Sequence, residues 1–558
     1  MEPRDITWSR LDTETFDLLI IGGGINGCGA LRDAVRRGLK VLLVEAEDLA
    51  SGTSSRSSKL IHGGLRYLEN REFSLVFEAV SERRVLRHIA PHLVNSMGFL
   101  FPIYDDSVIG LGFLKTGLWV YEGLSLFRSP HIHRNLRPAR VAEEQPILSQ
   151  EGLKGAPLYW DCSTDDARLT LENALDGLAC GGELLTYTRV TALERDETGR
   201  VCGARVHDCL GNRQGLVKAK VVLNATGPWT DRVRGVEDEK RQLLRPTKGV
   251  HLVVDHERLP LKYAVVCYHP EDERILFAIP WGTRSYVGTT DTDYEGDPAD
   301  VAATAEDVHY LLRACARYFP EARLGPEDVM ATWAGLRPLV QDESSETSSV
   351  SREHEIVVDE DGLVTICGGK LTTYRKMADQ VVDTVVEQLE AQGEKRDLSS
   401  AHTRREPLPG AVGLPENDDH DLVAQEAVKA SGGRLEHHQA RYLVDLYGTR
   451  GVGLAAELAG SESGLTPLPG DGQALLGQVD WSVQQEVALT LSDVLIRRTQ
   501  LFFRERDQGL EAAPRVADRM AELLGWSPER REAELSRYRG EVGQSRRWNQ
   551  AESSRLGK

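Results

Sequence analysis

The sequence predicts an α/β fold joined to an antiparallel β domain and a helical C-terminal region. Three observations predict it. A buried strand, a glycine turn, a helix and a second buried strand follow one another between Phe16 and Glu45, the size of one βαβ unit. Several strand-like runs crowd between His251 and Gly288. A Pro/Gly-rich stretch from Pro407 to Pro415 precedes a chain that reads as helical almost throughout.

Taken in order, Phe16 to Ile21 is the short apolar run that a buried parallel strand requires. Ile25, Cys28, Leu31 and Val35 recur at helical spacing, with Gly38 as the stop. Val41 to Val44 is the second strand. A polar Ser/Gly-rich segment, Ser51 to Leu68, follows, and then an amphipathic helix over Phe73 to Ile89. Val108 to Phe127 is the nearest approach to a membrane segment, but Lys115 and Glu122 interrupt it, so a spanning helix is not expected. Either it lies on a membrane as an amphipathic helix or it packs in the core with its charges at the edge. Thr198-Gly199 and Gly211-Asn212 divide Arg189 to Ala225 into three strands, the last rejoining a buried sheet. Thr304 and Asp307 can cap a helix running to Tyr318. Gly362 to Lys370 reads as a strand and glycine turn, followed by a helix from about Thr372 to Leu389. Val483 to Phe503 is the clearest helical stretch after the linker, and the chain beyond Val542 reads as loose.

The chain has 558 residues, enough for three or four structural units. Its 67 basic and 86 acidic side chains leave a net charge of −19, which argues against nucleic-acid binding but permits a local basic pocket. With 41% hydrophobic and 27% charged residues it is neither disordered nor fibrous. The eight cysteines include no C-x-x-C pair, so no metal site is expected and the thiols read as reduced, as in the cytoplasm. The polar, acidic N-terminus shows no export signal.

Gly22, Gly24 and Gly27 form G-x-G-x-x-G between strand and helix, with Glu45 closing the next strand. The glycines let backbone approach a pyrophosphate, the helix N-terminus favours its charge, and the acid can accept hydrogen bonds from a ribose. Strand, turn, helix and acid together predict a Rossmann-like dinucleotide site. Two further glycine turns, ATGPW (Ala225 to Trp229) and CGGK (Cys367 to Lys370), can surround a long, bent cofactor.

GGGINGCG, TSSRSSKLIHGGLRYLE, NATGPW, GLRPL and GGKLTTYRKMA together resemble the flavin-dependent glycerol-3-phosphate dehydrogenases, of the D-amino-acid-oxidase-like flavoprotein group. The similarity covers roughly residues 16 to 390. It implies a Rossmann-like FAD-binding domain (segments about 16–90, 155–240 and 345–395) and an antiparallel β substrate domain (about 91–154 and 241–344). It further implies a linker at 401–418, a helical cap over 419–541 and a loose tail at 542–558. The implied reaction is oxidation of sn-glycerol 3-phosphate to dihydroxyacetone phosphate on non-covalent FAD, with electrons passed to a membrane quinone. Peripheral contact with the cytoplasmic membrane face and a homodimer are also expected.

The resemblance assigns roles residue by residue. A base must take the hydroxyl proton as hydride leaves the carbon; His62 is the first choice and His251 the second. Arg337, Arg352 and Arg66 match substrate positions, where the guanidinium fork suits phosphate oxygens, and Tyr67 can add a hydroxyl. Lys370 is expected near the flavin and the reacting oxygen. Ile25 and Asn26 open the helix under the diphosphate. Thr53, Ser54, Ser58, Lys59 and Leu60 are expected to follow FAD towards the flavin through backbone and hydroxyl groups. Ala225 and Gly227 are expected near the adenine half, and Lys370, Leu371, Thr372 and Thr373 near the ring. Glycerol-3-phosphate oxidase, which uses molecular oxygen, shares these motifs; the lack of an obvious long insertion favours the dehydrogenase. A non-catalytic FAD-binding protein is the second alternative, argued against by His62, Arg66, Arg337 and Lys370 together. An amine or amino-acid oxidase would leave the convergent cations unexplained.

Overall fold

The computed structural model describes residues 3–65, 72–126, 131–235, 242–341, 354–394, 398–415, 419–470 and 472–549. Its first sheet has the order His354–Val358, Val364–Gly368, Gln214–Asn224, Thr15–Ile21, Val41–Val44, Glu183–Leu185. The last five of these strands run parallel. Alternate residues serve opposite faces. Leu18, Ile20, Leu43 and Val221 pack with the helices Ile25–Arg36 and Tyr374–Ala391. Leu19, Ile21, Leu42 and Val222 pack with Trp8 and the strand Val201–Asp208. Burial on both faces explains why these strands read as unbroken apolar runs. The expected meander is present as Thr188–Arg195, Val201–Asp208 and Gln214–Asn224. Gly199 and Asn212 take positive φ at its two turns.

The second sheet is built on the antiparallel pair Leu244–Asp255 and Val329–Val340. It continues through Arg284–Gly288, Ile275–Trp281, Ala264–Tyr268 and Asn95–Leu100 to Leu153–Ser163 and Leu60–Ile61. The sequence division at about residue 155 therefore cuts a strand of this sheet, and Leu60–Ile61 belongs to it as well. One face packs on the helix Ala305–Tyr318, which begins with the reciprocal Thr304–Asp307 cap. On the other face Val253, Tyr286, Ala331 and Trp333 share a core with the C-terminal helices.

Two C-terminal expectations are corrected. Val483 to Phe503 is not one helix. Gly477–Gln485 ends, a π-helical segment spans Asp493–Arg498, and Leu501–Arg504 follows after Gln500 at φ 58°. Buried polar contacts override the local pattern. Glu486 leaves the helix to accept both Arg168 nitrogens at 2.7 and 2.9 Å, and Asp493 accepts from the N–H groups of Leu489 and Thr490 at 2.7 and 3.0 Å. Nor is the chain loose from residue 542: Pro528–Ser545 is one helix, and Trp548 beyond it is buried. Residues 550–558 lie outside the described residues.

The segment around residues 108–127 contains the helix Leu111–Leu124. Leu114, Leu118 and Tyr121 point inward, while Phe113, Trp119 and Val120 are exposed. Glu122 is not at a polar edge as expected. It is buried and accepts a hydrogen bond from the His133 backbone N–H at 3.2 Å.

Buried charge pairs fasten the C-terminal helices to the first sheet. Arg497 and Arg498 both grip Asp48, in the loop after Glu45, and Arg450 meets Glu172 at 3.1 Å. The Arg guanidiniums hold Asp48 below its usual carboxylate range despite burial.

Candidate active site

A cavity of about 1440 Å³ opens between the two sheets. That exceeds the roughly 300–1,000 Å³ usual for a small-molecule pocket. Its wall runs from the glycine turn after Thr15–Ile21 to the long strands of the second sheet.

The glycine turn is built for close approach. Gly22 has φ 109°, and a Cβ there would lie 2.7 Å from the Ala225 carbonyl oxygen. A Cβ on Gly27 would lie 1.9 Å from the Gly22 carbonyl oxygen. Gly27 thus sits behind the turn, while Gly22, Gly24, Ile25 and Asn26 line the cavity. The Ile25 N–H donates to Ser54 Oγ at 2.9 Å, which fastens the Thr53–Ser55 turn to the helix N-terminus. Thr53 Oγ1 donates to the Leu336 carbonyl at 2.6 Å. Glu45 accepts from the N–H groups of Gly23 and Glu47 at 2.6 and 2.9 Å. Burial nevertheless pushes its carboxyl up to about 7. Ala225 and Gly227 line the same part of the wall.

Further along lie Ser58, Leu60, His62, Lys370, Leu371 and Thr372. The His62 N–H donates to Thr372 Oγ1 at 3.2 Å, and Thr372 Oγ1 donates to the His62 carbonyl at 3.3 Å. These bonds tie the HGG turn to the CGGK turn, so two motifs 310 residues apart present their side chains together. The ring of Phe277 meets His62 edge-on, with centroids 6.4 Å apart. Thr373 is buried just behind, its hydroxyl donating to the Lys370 carbonyl at 3.3 Å.

The two histidines are separated. His62 lines the cavity, whereas His251 is set one layer back, 2% exposed, its Nε2 2.9 Å from Ser58 Oγ. It stacks on Trp333 at 4.8 Å, and no described residue partners its Nδ1. Burial, then the charges of Arg337 and Lys59, hold its pKa well below the usual imidazole value. Lys59 does not line the cavity; its ammonium pairs with Asp166, which does, at 2.5 Å and donates to the Ser55 carbonyl.

Arg337 projects from Val329–Val340 into the cavity. Its Nη1 meets Asp291 Oδ1 at 3.0 Å, and its Nη2 donates to Thr289 Oγ1 at 2.9 Å and the Thr290 carbonyl at 3.1 Å. Arg66, Tyr67 and Arg352 lie outside the described residues. Sequence reasoning passed over Thr289, Asp291, Arg274 and Arg56, which also line the wall. Arg274 donates to the Asp291 carbonyl, so Asp291 links two cavity cations. The run GTTDT after a strand was the available signal for the first two, and the TSSRSSK string for Arg56; Arg274 carried none.

A cavity that joins a dinucleotide turn to a polar, cation-bearing end is that of a dinucleotide-dependent enzyme. The chain belongs to the FAD-dependent oxidoreductases, whose family model matches residues 17–375. The C-terminal domain of alpha-glycerophosphate oxidase matches residues 401–531. More particularly, the chain is similar to the aerobic glycerol-3-phosphate dehydrogenases. It is 36% identical to that of Staphylococcus epidermidis over 542 residues, 96% of each chain. It is 37% identical to that of Staphylococcus aureus over 543 residues, 96% of this chain and 95% of the other. The solved glycerol-3-phosphate dehydrogenase of Bacillus halodurans, complexed with FAD, has a TM-score of 0.80 at 32% identity and covers 97% of each chain. The glycine cradle and the Glu45 carboxylate fit the cofactor of this family: one admits a diphosphate and the other can accept from a ribose.

Proposed function

We propose that the protein oxidises sn-glycerol 3-phosphate to dihydroxyacetone phosphate and passes the electrons to a quinone at a membrane surface. The observation that carries the reaction is that His62, Lys370 and Arg337 line the same cavity as the dinucleotide turn. Full-length similarity to the aerobic glycerol-3-phosphate dehydrogenases supports it independently.

Bound FAD supplies the hydride acceptor. Arg337 holds the substrate phosphate, its fork aimed by Thr289, Thr290 and Asp291. An imidazole nitrogen of His62 takes the hydroxyl proton as the carbon gives up hydride. Lys370 offsets negative charge on that oxygen until the carbonyl forms. His251 steadies Ser58 from behind and stays neutral, so it adds no charge to the site.

The acceptor reading rests on the outer surface. Phe73 and Phe77 on the helix Phe73–Ile89, and Phe113, Trp119 and Val120 on the helix Leu111–Leu124 packed against it, are exposed, as is Leu126 just beyond the second helix. Beside them a cleft carries His88 and three cations, Arg84, Arg404 and Arg405, for which no described carboxylate serves as ion-pair partner. Apolar side chains bordered by free cations suit an anionic bilayer surface, where a lipophilic quinone is dissolved. No described helix is long and apolar enough to cross a membrane. The match of residues 401–531 to an oxidase domain favours one second reading, molecular oxygen as acceptor.

The test is to reduce the enzyme with glycerol 3-phosphate and compare reoxidation by a soluble quinone analogue and by oxygen. Faster reoxidation by quinone, with sedimentation on vesicles containing phosphatidylglycerol, is expected. Preferential reoxidation by oxygen transfers the assignment to the oxidase, and failure to sediment removes the membrane reading.

A further inference from the structure

The ADP end of the cavity has an electrostatic imbalance. Glu45 and Glu47 line it with Asp48 buried close behind, and FAD brings two further negative charges in its diphosphate. Asp48 is already neutralised by Arg497 and Arg498. Glu45 has no cation partner among the described residues; its carboxyl is satisfied by two backbone N–H groups. The glycine turn offers the diphosphate only backbone N–H groups and the helix N-terminus, equivalent to roughly half a positive charge. One of those donors, the Ile25 N–H, is shared with Ser54 Oγ.

Two cations without a described partner line this part of the cavity. Arg189 is exposed; Arg56 is half-buried and the better placed to correct this. It immediately follows the Thr53–Ser55 turn that Ser54 fastens to the helix N-terminus, and it lines the cavity. Its backbone is fixed: its N–H donates to the Thr53 carbonyl at 3.0 Å, and its carbonyl oxygen lies 2.6 Å from where a Gly335 Cβ would stand. Its guanidinium makes no hydrogen bond or ion pair with any described residue. That sets it apart from Arg234 and Arg337 on the same wall, which pair with Asp359 and Asp291. Glu47 and Glu541 are within electrostatic reach, but neither is its ion-pair partner, and burial lowers its pKa. A half-buried guanidinium without a partner is stabilised when an anion joins it.

We propose that Arg56 is the diphosphate clamp of the cofactor site: its guanidinium binds the phosphate oxygens of the ADP half of FAD and positions the dinucleotide along the wall. The proposal rests on the FAD-dependent class alone and is independent of the substrate assigned above. The site takes nucleoside diphosphates generally, so ADP is a ligand of the apoprotein and adenosine, which lacks phosphate, is the matched control.

The experiment titrates the full-length apoprotein with FAD, ADP and adenosine by calorimetry, for wild type and for Arg56→Ala, Arg56→Met and Arg56→Lys. Hydrogen bonds to charged groups predict that the Ala and Met variants bind FAD and ADP about ten- to a hundredfold more weakly, with adenosine unchanged. Arg56→Lys keeps the charge and falls between. Wild-type affinity for ADP also weakens with added salt more steeply than that of Arg56→Met. Equal affinities for ADP across the series overturn the proposal. So does an equal loss for ADP and adenosine, because a merely structural arginine damages both.

Discussion

Replacing Arg337 by alanine removes the group on which phosphate recognition is argued to turn. The side chain is held by Asp291 at 3.0 Å, Thr289 at 2.9 Å and the Thr290 carbonyl at 3.1 Å, so its fork is fixed before substrate arrives. Two charge-assisted hydrogen bonds to phosphate oxygens, each worth about 1.5–3 kcal/mol, predict a loss of about 3–6 kcal/mol of binding and orientation. At about 1.4 kcal/mol per factor of ten, kcat/KM for glycerol 3-phosphate falls by about two to four orders of magnitude. Part of the loss appears in kcat, because the phosphate anchor also aims the reacting carbon. The assay is anaerobic stopped-flow reduction of the bound flavin across a range of glycerol 3-phosphate, repeated with glycerol. Glycerol lacks the phosphate, so its slow reduction rate is unaffected by the substitution. Near-normal KM and kcat for glycerol 3-phosphate, or an equal loss with glycerol, refute the reasoning.

Three further outcomes follow from the site and its supports. His62→Ala retains FAD, because the side chain is not at the dinucleotide end, but slows anaerobic flavin reduction by about 10²–10⁴-fold; unchanged reduction removes its role as base. Asp48→Ala leaves Arg497 and Arg498 buried without their shared anion and destabilises the fold by about 3–5 kcal/mol, read as a lower thermal midpoint. Glu45 makes the apoprotein sensitive to pH. Its carboxyl is raised from 4.5 to about 7, so the folded state holds the proton more tightly, and its contribution to stability declines as pH rises from about 4.5 through 7. FAD binding has the opposite sign, since ribose hydroxyls donate to the carboxylate, so FAD affinity weakens as pH falls below about 7. A flat affinity profile between pH 5.5 and 8 contradicts this.

Much of the first sheet was legible because parallel strands and their glycine turn leave a dense local signature. Thr15–Ile21, Ile25–Arg36 and Val41–Val44 follow the apolar periodicity within a residue or so. The meander followed from Gly199 and Asn212, and the helix start at Thr304 from its paired capping residues. What the sequence did not disclose depends on contacts between distant segments. Glu486 breaks a helical pattern because Arg168, 318 positions away, draws it out. Glu122 turns inward because His133 offers a backbone donor. His251 lies behind Ser58 because strand register, pairing it with Trp333, buries it. A motif can bring a histidine to a site, but only the register decides which layer it occupies.

The site's cations show the same division. Arg337 and Lys370 could be named in advance because each sits in a distinctive string. Arg274 sits in ordinary surroundings, and Arg56, although inside the TSSRSSK string, was passed over for its serine neighbours; their interest comes from what surrounds them in space: the absence of a described partner for Arg56 and a shared Asp291 for Arg274.

The most direct measurement mixes the purified FAD-loaded protein with saturating glycerol 3-phosphate in the absence of oxygen and every other acceptor. A single turnover that bleaches the flavin absorbance and yields one dihydroxyacetone phosphate per flavin is the predicted result. An oxidised spectrum that persists with no ketone formed contradicts the account.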